Sequence, residues 1–179
     1  MRIIGGKYRG KNLLSPQNPN VRPTSDRTRE AIFNILRSKF NNNFSNLNLI
    51  ELFCGSGAFS LEAISQGFLS VTAIDIDTSS VCKNAKLFPT EQSKINIIKG
   101  DVIHLPILKN KYNILFMDAP YKQNLTVAAL TSIAKYLDNN ALCIIELHKD
   151  ETILIPANYQ IIDERIYGIA KIIIARFIS

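Results

Sequence analysis

Residues 47–67 read LNLIELFCGSGAFSLEAISQG, and a change of pattern inside this stretch decides the fold. Leu47 to Phe53 carry the apolar run of a short buried strand, Gly55 and Gly57 supply a turn, and from Ala58 the apolar residues recur at helical spacing. Strand, glycine turn and helix in that order predict the opening of a βαβ unit. The alternation continues downstream with strand SVTAIDI, a helix around SSVCKNAKLF, strands KINIIKG and YNILFMD, helix TVAALTSIAKYL and strand ALCIIEL. Such repetition predicts an α/β fold whose mostly parallel sheet is covered on both faces. YQIIDERIY and AKIIIARFI, on either side of Gly168, predict an antiparallel hairpin closing the sheet.

Upstream, RIIGGKYRGKNLL reads as a short extended hairpin, and SPQNPNVRP as a loop rich in Pro and Asn. A helix follows, with Thr24 or Ser25 as its cap, Asp26 at its positive end and Ala31, Ile32, Ile35, Leu36 and Phe40 on one apolar face. The chain therefore divides into a small extension, residues 1–45, and a larger domain, residues 46–179. At 179 residues and 46% hydrophobic composition there is material for one full core and a small appendage.

Charge follows that division. Residues 1–40 hold nine Lys or Arg against two acids, whereas the remaining 139 residues sum to −1 of the net +6. Confinement of the excess to one end, with Tyr8 among the cations, suits an arm that meets phosphates. The candidates are Arg2, Lys7, Arg9 and Lys11 on the hairpin, then Arg22, Arg27 and Arg29. For the last three a bracing role in the helix stands beside phosphate contact, and Arg22 and Arg27 are read as partly structural.

Other classes are excluded. No apolar run approaches the roughly 18–20 residues that cross a bilayer, and the start Met-Arg-Ile-Ile-Gly-Gly lacks the apolar core of a signal peptide. A cytoplasmic protein without membrane contact is expected. Cys54, Cys82 and Cys143 form no Cys-x-x-Cys pair, and His104 and His148 stand alone, so no metal site is expected.

The glycine turn marks a cofactor site, because Gly55 and Gly57 let a ligand lie against bare main chain at a helix amino terminus. Ser60 stands where a dinucleotide fingerprint has its third glycine, and Glu51 precedes the turn, where a carboxylate repels pyrophosphate and attracts a cation. Asp75 at the next strand tip is placed to accept from ribose hydroxyls. Asp101, in Gly100-Asp101-Val102, either accepts from an adenine amino group or caps its own turn; Asp77 has the same two readings. The fourth parallel strand stops at Asp118-Ala119-Pro120-Tyr121, at the carboxyl edge where such sheets bind ligands.

ELFCGSGAFSLEA, AIDID, GDV and DAPY, in this order and spacing, resemble a class I S-adenosylmethionine-dependent methyltransferase acting on exocyclic amino groups. RIIGGKYRGKNLLSP followed by VRPTSDRTREAIFNIL closely resembles the opening of the RsmD family, bacterial methyltransferases of a guanine N2 amino group in 16S ribosomal RNA. The resemblance spans essentially the whole chain, including ALCIIELH and RIYGIAKI. It implies a Rossmann-like sheet, S-adenosylmethionine held by Glu51, Phe53, Gly55, Gly57, Asp75, Ile76, Asp101 and Val102, and a monomer acting on 16S rRNA, free or in an assembling 30S particle. It also makes Asp118, Ala119, Pro120 and Tyr121 the catalytic tetrapeptide. The family's tetrapeptide has Pro where Ala119 stands, so the backbone carbonyl is kept while the ring that fixes φ is lost.

The resemblance gives the tetrapeptide a role. An aromatic amine is a poor nucleophile because its lone pair is shared with the ring. The Asp118 carboxylate and the Ala119 carbonyl are the acceptors that would orient its hydrogens, Pro120 stiffens the turn, and Tyr121 offers a stacking face to an extruded base. The same residues would serve an amino-group methyltransferase of DNA or protein, or a module that binds S-adenosylmethionine and nucleic acid without catalysis. The N-terminal arm is what argues for ribosomal RNA.

Overall fold

A computed structural model describes residues 1–15, 24–120 and 125–179. Seven strands form one sheet in the order β3-β2-β1-β4-β5-β7-β6, where β1 is Asn48–Leu52, β2 Ser70–Asp75, β3 Ile95–Lys99, β4 Tyr112–Asp118, β5 Leu137–His148, β6 Tyr159–Tyr167 and β7 Ala170–Phe177. The pairs from β3 through β5 are parallel, and β7 joins β5 and β6 antiparallel. The chain leaves β1 toward β2 on one side and returns to β4 on the other. This reversal of strand order opens a crevice at the carboxyl ends of β1 and β4.

The helices follow the apolar periods. Helix α1, Asp26–Lys39, is capped by Ser25, whose side chain accepts the Thr28 N–H at 3.0 Å, and it buries Ile32, Phe33 and Leu36. Replacing Phe33 by Ala would remove a ring tilted against Phe59 and edge-on to Phe68, a cost of about 3–5 kcal/mol. Helix α2, Ala58–Ser65, is buried along its whole length, which is why its sequence lacks a polar stripe. Helix α3, Ser79–Ala85, lies between β2 and β3, and α4, Leu125–Ile133, between β4 and β5. The expected helix TVAALTSIAKYL ends at Ile133 and tightens into a 3₁₀ turn, Ala134–Tyr136. β5 begins four residues before the expected ALCIIEL, with Leu137 already paired to Tyr112.

The N-terminal hairpin is looser than its sequence suggests. One antiparallel bridge, Arg2 to Asn12, is closed through a 3₁₀ turn at Gly6–Tyr8. Ile3 and Leu13 are buried and share an apolar cluster with Phe33, Phe59 and Phe116, so this segment is seated on the same core as the sheet. β6 forms one edge of the sheet, and its register against β7 shifts between Ile161 and Asp163. Among the described residues no helix is long and apolar enough to cross a membrane.

Candidate active site

β1 delivers the turn. Phe53 takes φ 59°, Gly55 φ 50° and Gly57 φ 70°. Phe53 is the residue without a glycine's freedom in this turn, and a left-handed conformation there costs about 1–3 kcal/mol, a form of strain that gathers at functional sites. Gly57 needs its missing side chain for a second reason, because a Cβ there would lie 2.3 Å from Val81 Cγ2 on α3. The turn thus lies tight against α3 and opens toward the crevice.

Two acids brace this turn from behind. Glu51, 4% exposed, accepts the Ser60 N–H at 2.9 Å through Oε2. Burial pushes Glu51 up to about 7, against the pull of the Ser60 bonds and of Arg29. Asp75 Oδ2 accepts the Gly55 N–H at 2.8 Å, and its Oδ1 accepts the Asp77 N–H at 3.0 Å. Asp75 therefore sets the glycine turn as well as standing at the β2 tip. Its neighbour Ile76 is 71% exposed at the mouth of the crevice. Asp101 closes its own turn, with Oδ1 accepting the Ile103 N–H at 3.0 Å and Oδ2 lying 2.9 Å from His104 Nδ1, while Val102 is buried. The His104 contact, then the Ile103 N–H, holds the Asp101 carboxyl below the usual range. Asp77 likewise accepts the Ser79 N–H at 2.9 Å.

The other half of the crevice is made by β4 and β5. Leu52 pairs with Met117, which brings Asp118 level with the start of the glycine turn, and Asp118 pairs with Glu146 on β5. Ala119 is buried, whereas Pro120 is exposed. Thr24, the residue before the α1 cap, reaches this corner: its Oγ1 is 2.9 Å from Glu146 Oε2 and 3.3 Å from Asp118 Oδ2. Burial, then the charge of Glu146 and more weakly that of Glu51, pushes the Asp118 carboxyl well above the usual range. Tyr121 and Arg22 lie outside the described residues.

Arg29 corrects an expectation. It was expected among the RNA-facing cations, yet its side chain has no exposure. Nη2 donates to the Arg2 carbonyl at 2.5 Å and to Asp26 Oδ1 at 2.8 Å, and Nε lies 3.8 Å from Glu62 Oε2. Glu62 in turn accepts the N–H groups of Ile4 and Gly5 at 2.7 and 2.8 Å. A helical arginine three residues after Asp26 reads as surface in the sequence; here the N-terminal segment covers it, and the pair locks that segment to α2. The other described arm cations, Arg2, Lys7, Arg9, Lys11 and Arg27, stay accessible. Lys7 pairs with Glu91 at 2.6 Å, Arg2 lies 3.9 Å from Asp26, and Lys11 sits over the Tyr8 and Phe88 rings at 5.7 and 5.9 Å. Arg9 and Arg27 are exposed.

Sequence reasoning missed Thr24, Glu146 and Glu62 as members of this architecture. Thr24 was readable as an alternative helix cap, and Ser25 fills that position instead. Glu146 had one signal, a lone acid near the carboxyl end of the buried run ALCIIEL, matching the position of Asp118 on its own strand.

Residues 1–176 match the family described as conserved hypothetical protein 95. A relative from Buchnera aphidicola subsp. Acyrthosiphon pisum, named ribosomal RNA small subunit methyltransferase D, is 30% identical over 171 residues, which is 92% of this chain and 86% of that protein. This chain belongs to that family. A member of the same name from Haemophilus influenzae is 28% identical over 96% of this chain and 91% of its own length. The solved structure of Escherichia coli yhhF superposes with a TM-score of 0.81 at 27% identity, covering 100% of this chain and 98% of the other. The family match over residues 1–176 and the structural match both take in the N-terminal segment.

Proposed function

We propose that this protein transfers the methyl group of S-adenosylmethionine to the exocyclic N2 amino group of a guanine in 16S ribosomal RNA. The observation that carries the reading is the pairing of β1 with β4, which sets Asp118-Ala119-Pro120 beside the Gly55–Gly57 turn at the carboxyl ends of these two strands. Cofactor and amine would meet there without further parts.

The residues suit this cofactor better than a dinucleotide. Glu51 and Asp75 put two carboxylates around the turn, unfavourable to pyrophosphate and favourable to a cationic amino-acid moiety and a ribose diol. Gly55, Gly57 and Phe53 would contact it through main chain, Ile76 and Val102 would flank the adenine, and Asp101 would accept from its amino group on leaving His104. When bound, S-adenosylmethionine supplies a methyl group already activated by its sulfonium. The protein's own task is positioning. Asp118 Oδ1 and the Ala119 carbonyl accept the two amine hydrogens, directing the nitrogen lone pair toward the cofactor side of the crevice. Pro120 limits the loop's freedom and Tyr121 supplies the stacking surface for a base drawn out of its helix. Arg2, Lys7, Arg9, Lys11, Arg22 and Arg27 hold the RNA backbone, on free 16S rRNA or an assembling 30S particle. A cytoplasmic monomer, with residues 1–45 as its RNA-binding extension and residues 46–179 as its catalytic domain, fits this work.

The test is methyl transfer from labelled S-adenosylmethionine to undermethylated 16S rRNA and 30S particles, followed by nucleoside mass spectrometry. N2-methylguanosine is the expected product. Label appearing in DNA or protein instead, or in no substrate while the cofactor still binds, would overturn the reading.

A further inference from the structure

Thr24 and Glu146 meet Asp118 in an arrangement that the chemistry of one hydroxyl group constrains. Thr24 Oγ1 lies 2.9 Å from Glu146 Oε2 and 3.3 Å from Asp118 Oδ2. A threonine hydroxyl has one hydrogen to give and lone pairs to receive with. It can satisfy one of two carboxylates; toward the second it presents a lone pair, which is repelled by an ionised oxygen and matched by a protonated one. The shorter contact, 2.9 Å against 3.3 Å, is to Glu146, so the hydrogen belongs there.

We propose that Thr24 and Glu146 are positioning residues for Asp118: Thr24 donates to Glu146, Asp118 Oδ2 meets the Thr24 oxygen with a hydrogen of its own, and Oδ1 is left as the acceptor presented to the substrate amine. This rests on the reading that Asp118 orients that amine. The consequence is a carboxyl group that cannot spin freely about its χ2 axis, since its two oxygens have different partners. The segment leading into α1 becomes part of the catalytic corner through Thr24.

Among the described residues, the charged groups that face Asp118 are Glu146 from β5 and Glu51 from β1, and both favour its protonated form. Arg29 on α1 acts on Glu51. A Thr24 oxygen that accepts the Asp118 hydrogen favours that form as well. Removing Glu146's charge should therefore let Asp118 ionise at lower pH, and so should removing the Thr24 hydroxyl.

The experiment follows Asp118 by carbon-13 NMR with carboxyl-labelled aspartate, the resonance being assigned by its loss in Asp118→Asn. Glu146→Gln should lower the Asp118 midpoint by about one pH unit or more. Thr24→Val should lower it too, and Thr24→Ser should restore it. The alkaline limb of the methyl-transfer rate on 16S rRNA should move in the same order, with S-adenosylmethionine affinity unchanged. A midpoint indifferent to both Glu146→Gln and Thr24→Val overturns the inference, as does a rate limb that ignores a shifted midpoint. If Glu146→Gln does not fold, the two Thr24 variants carry the comparison alone. NMR shifts as expected in a protein that methylates no RNA would uphold the arrangement and overturn instead the function on which it was placed.

Discussion

The two halves of the crevice hold their acids in different ways. On the side proposed for the cofactor, Glu51, Asp75, Asp77 and Asp101 each accept at least one backbone N–H from within the β1–β3 half of the fold. On the acceptor side, Asp118 and Glu146 lie on neighbouring strands and share a side-chain hydroxyl delivered from nearly one hundred residues away, Thr24 to Asp118 being separated by 94 positions. Main-chain donors are fixed once the strand-turn-helix is formed, so the cofactor half is set by local structure. The acceptor half exists only when the segment before α1 has docked. A site divided this way could keep the proposed cofactor pocket while the proposed catalytic corner responds to what binds the N-terminal extension.

The comparison breaks if substitutions on one side disturb the other. Asp118→Ala should cost about 10²–10⁴-fold in methyl transfer while calorimetry finds S-adenosylmethionine binding close to the parent's. A parallel loss of cofactor affinity would mean the two halves are one. Ala119→Pro is its mild counterpart: the carbonyl is retained and the loop stiffened, so turnover should be similar or modestly higher.

Glu51 gives a test by pH. Its folded-state carboxyl titrates at about 7, above the ordinary value of 4.5. As pH rises between these values the unfolded chain releases this proton first, so the group's contribution to stability falls by about 3 kcal/mol across that window and is flat above it. Glu51→Gln should therefore raise thermal stability at pH 8 and leave it nearly unchanged at pH 4. The same substitution should weaken S-adenosylmethionine, whose affinity for the parent should climb as pH approaches 7, because the ionised carboxylate attracts the cation. Thermal melts and calorimetry across pH check both slopes; opposite signs for stability and binding mark a buried acid retained for its ligand.

Asp75→Ala should weaken the cofactor by about 10–100-fold, the scale of one hydrogen bond to a charged group, and loosen the glycine turn by freeing the Gly55 N–H. It should leave RNA affinity unaltered. The converse belongs to the arm. Neutralising Arg9 and Lys11 together should reduce the slope of log RNA affinity against log salt by about 1–2 with no change in cofactor affinity, and a filter-binding series over salt concentrations measures it.

This division also explains what was legible. The sequence announces βαβα alternation, the glycine turn and Asp118 at a strand tip because each is a local pattern. Strand ends were harder: Phe53 was expected within the first strand, but β1 stops at Leu52 because Phe53 adopts a left-handed φ that no hydropathy pattern reveals. Arg29 was misread because its burial is caused by residues 2–5 folding over it, a contact between segments some 27 positions apart. Thr24 and Glu146 escaped for the same reason, being joined across 122 positions. Charge composition pointed to the arm as a whole, yet which of its cations face outward depends on Glu91 and Phe88 beyond α3.

The shifted register of β6 has a consequence for how this molecule meets copies of itself. An outer strand rich in isoleucine, with Ile161 and Ile166 about half exposed or more, is a template onto which another chain can hydrogen-bond and from which fibrils grow. The irregularity between Ile161 and Asp163 interrupts that row of N–H and C=O groups, and Asp163, Glu164 and Arg165 place charge beside the break. The antiparallel hairpin that completes the sheet therefore also guards its rim against aggregation.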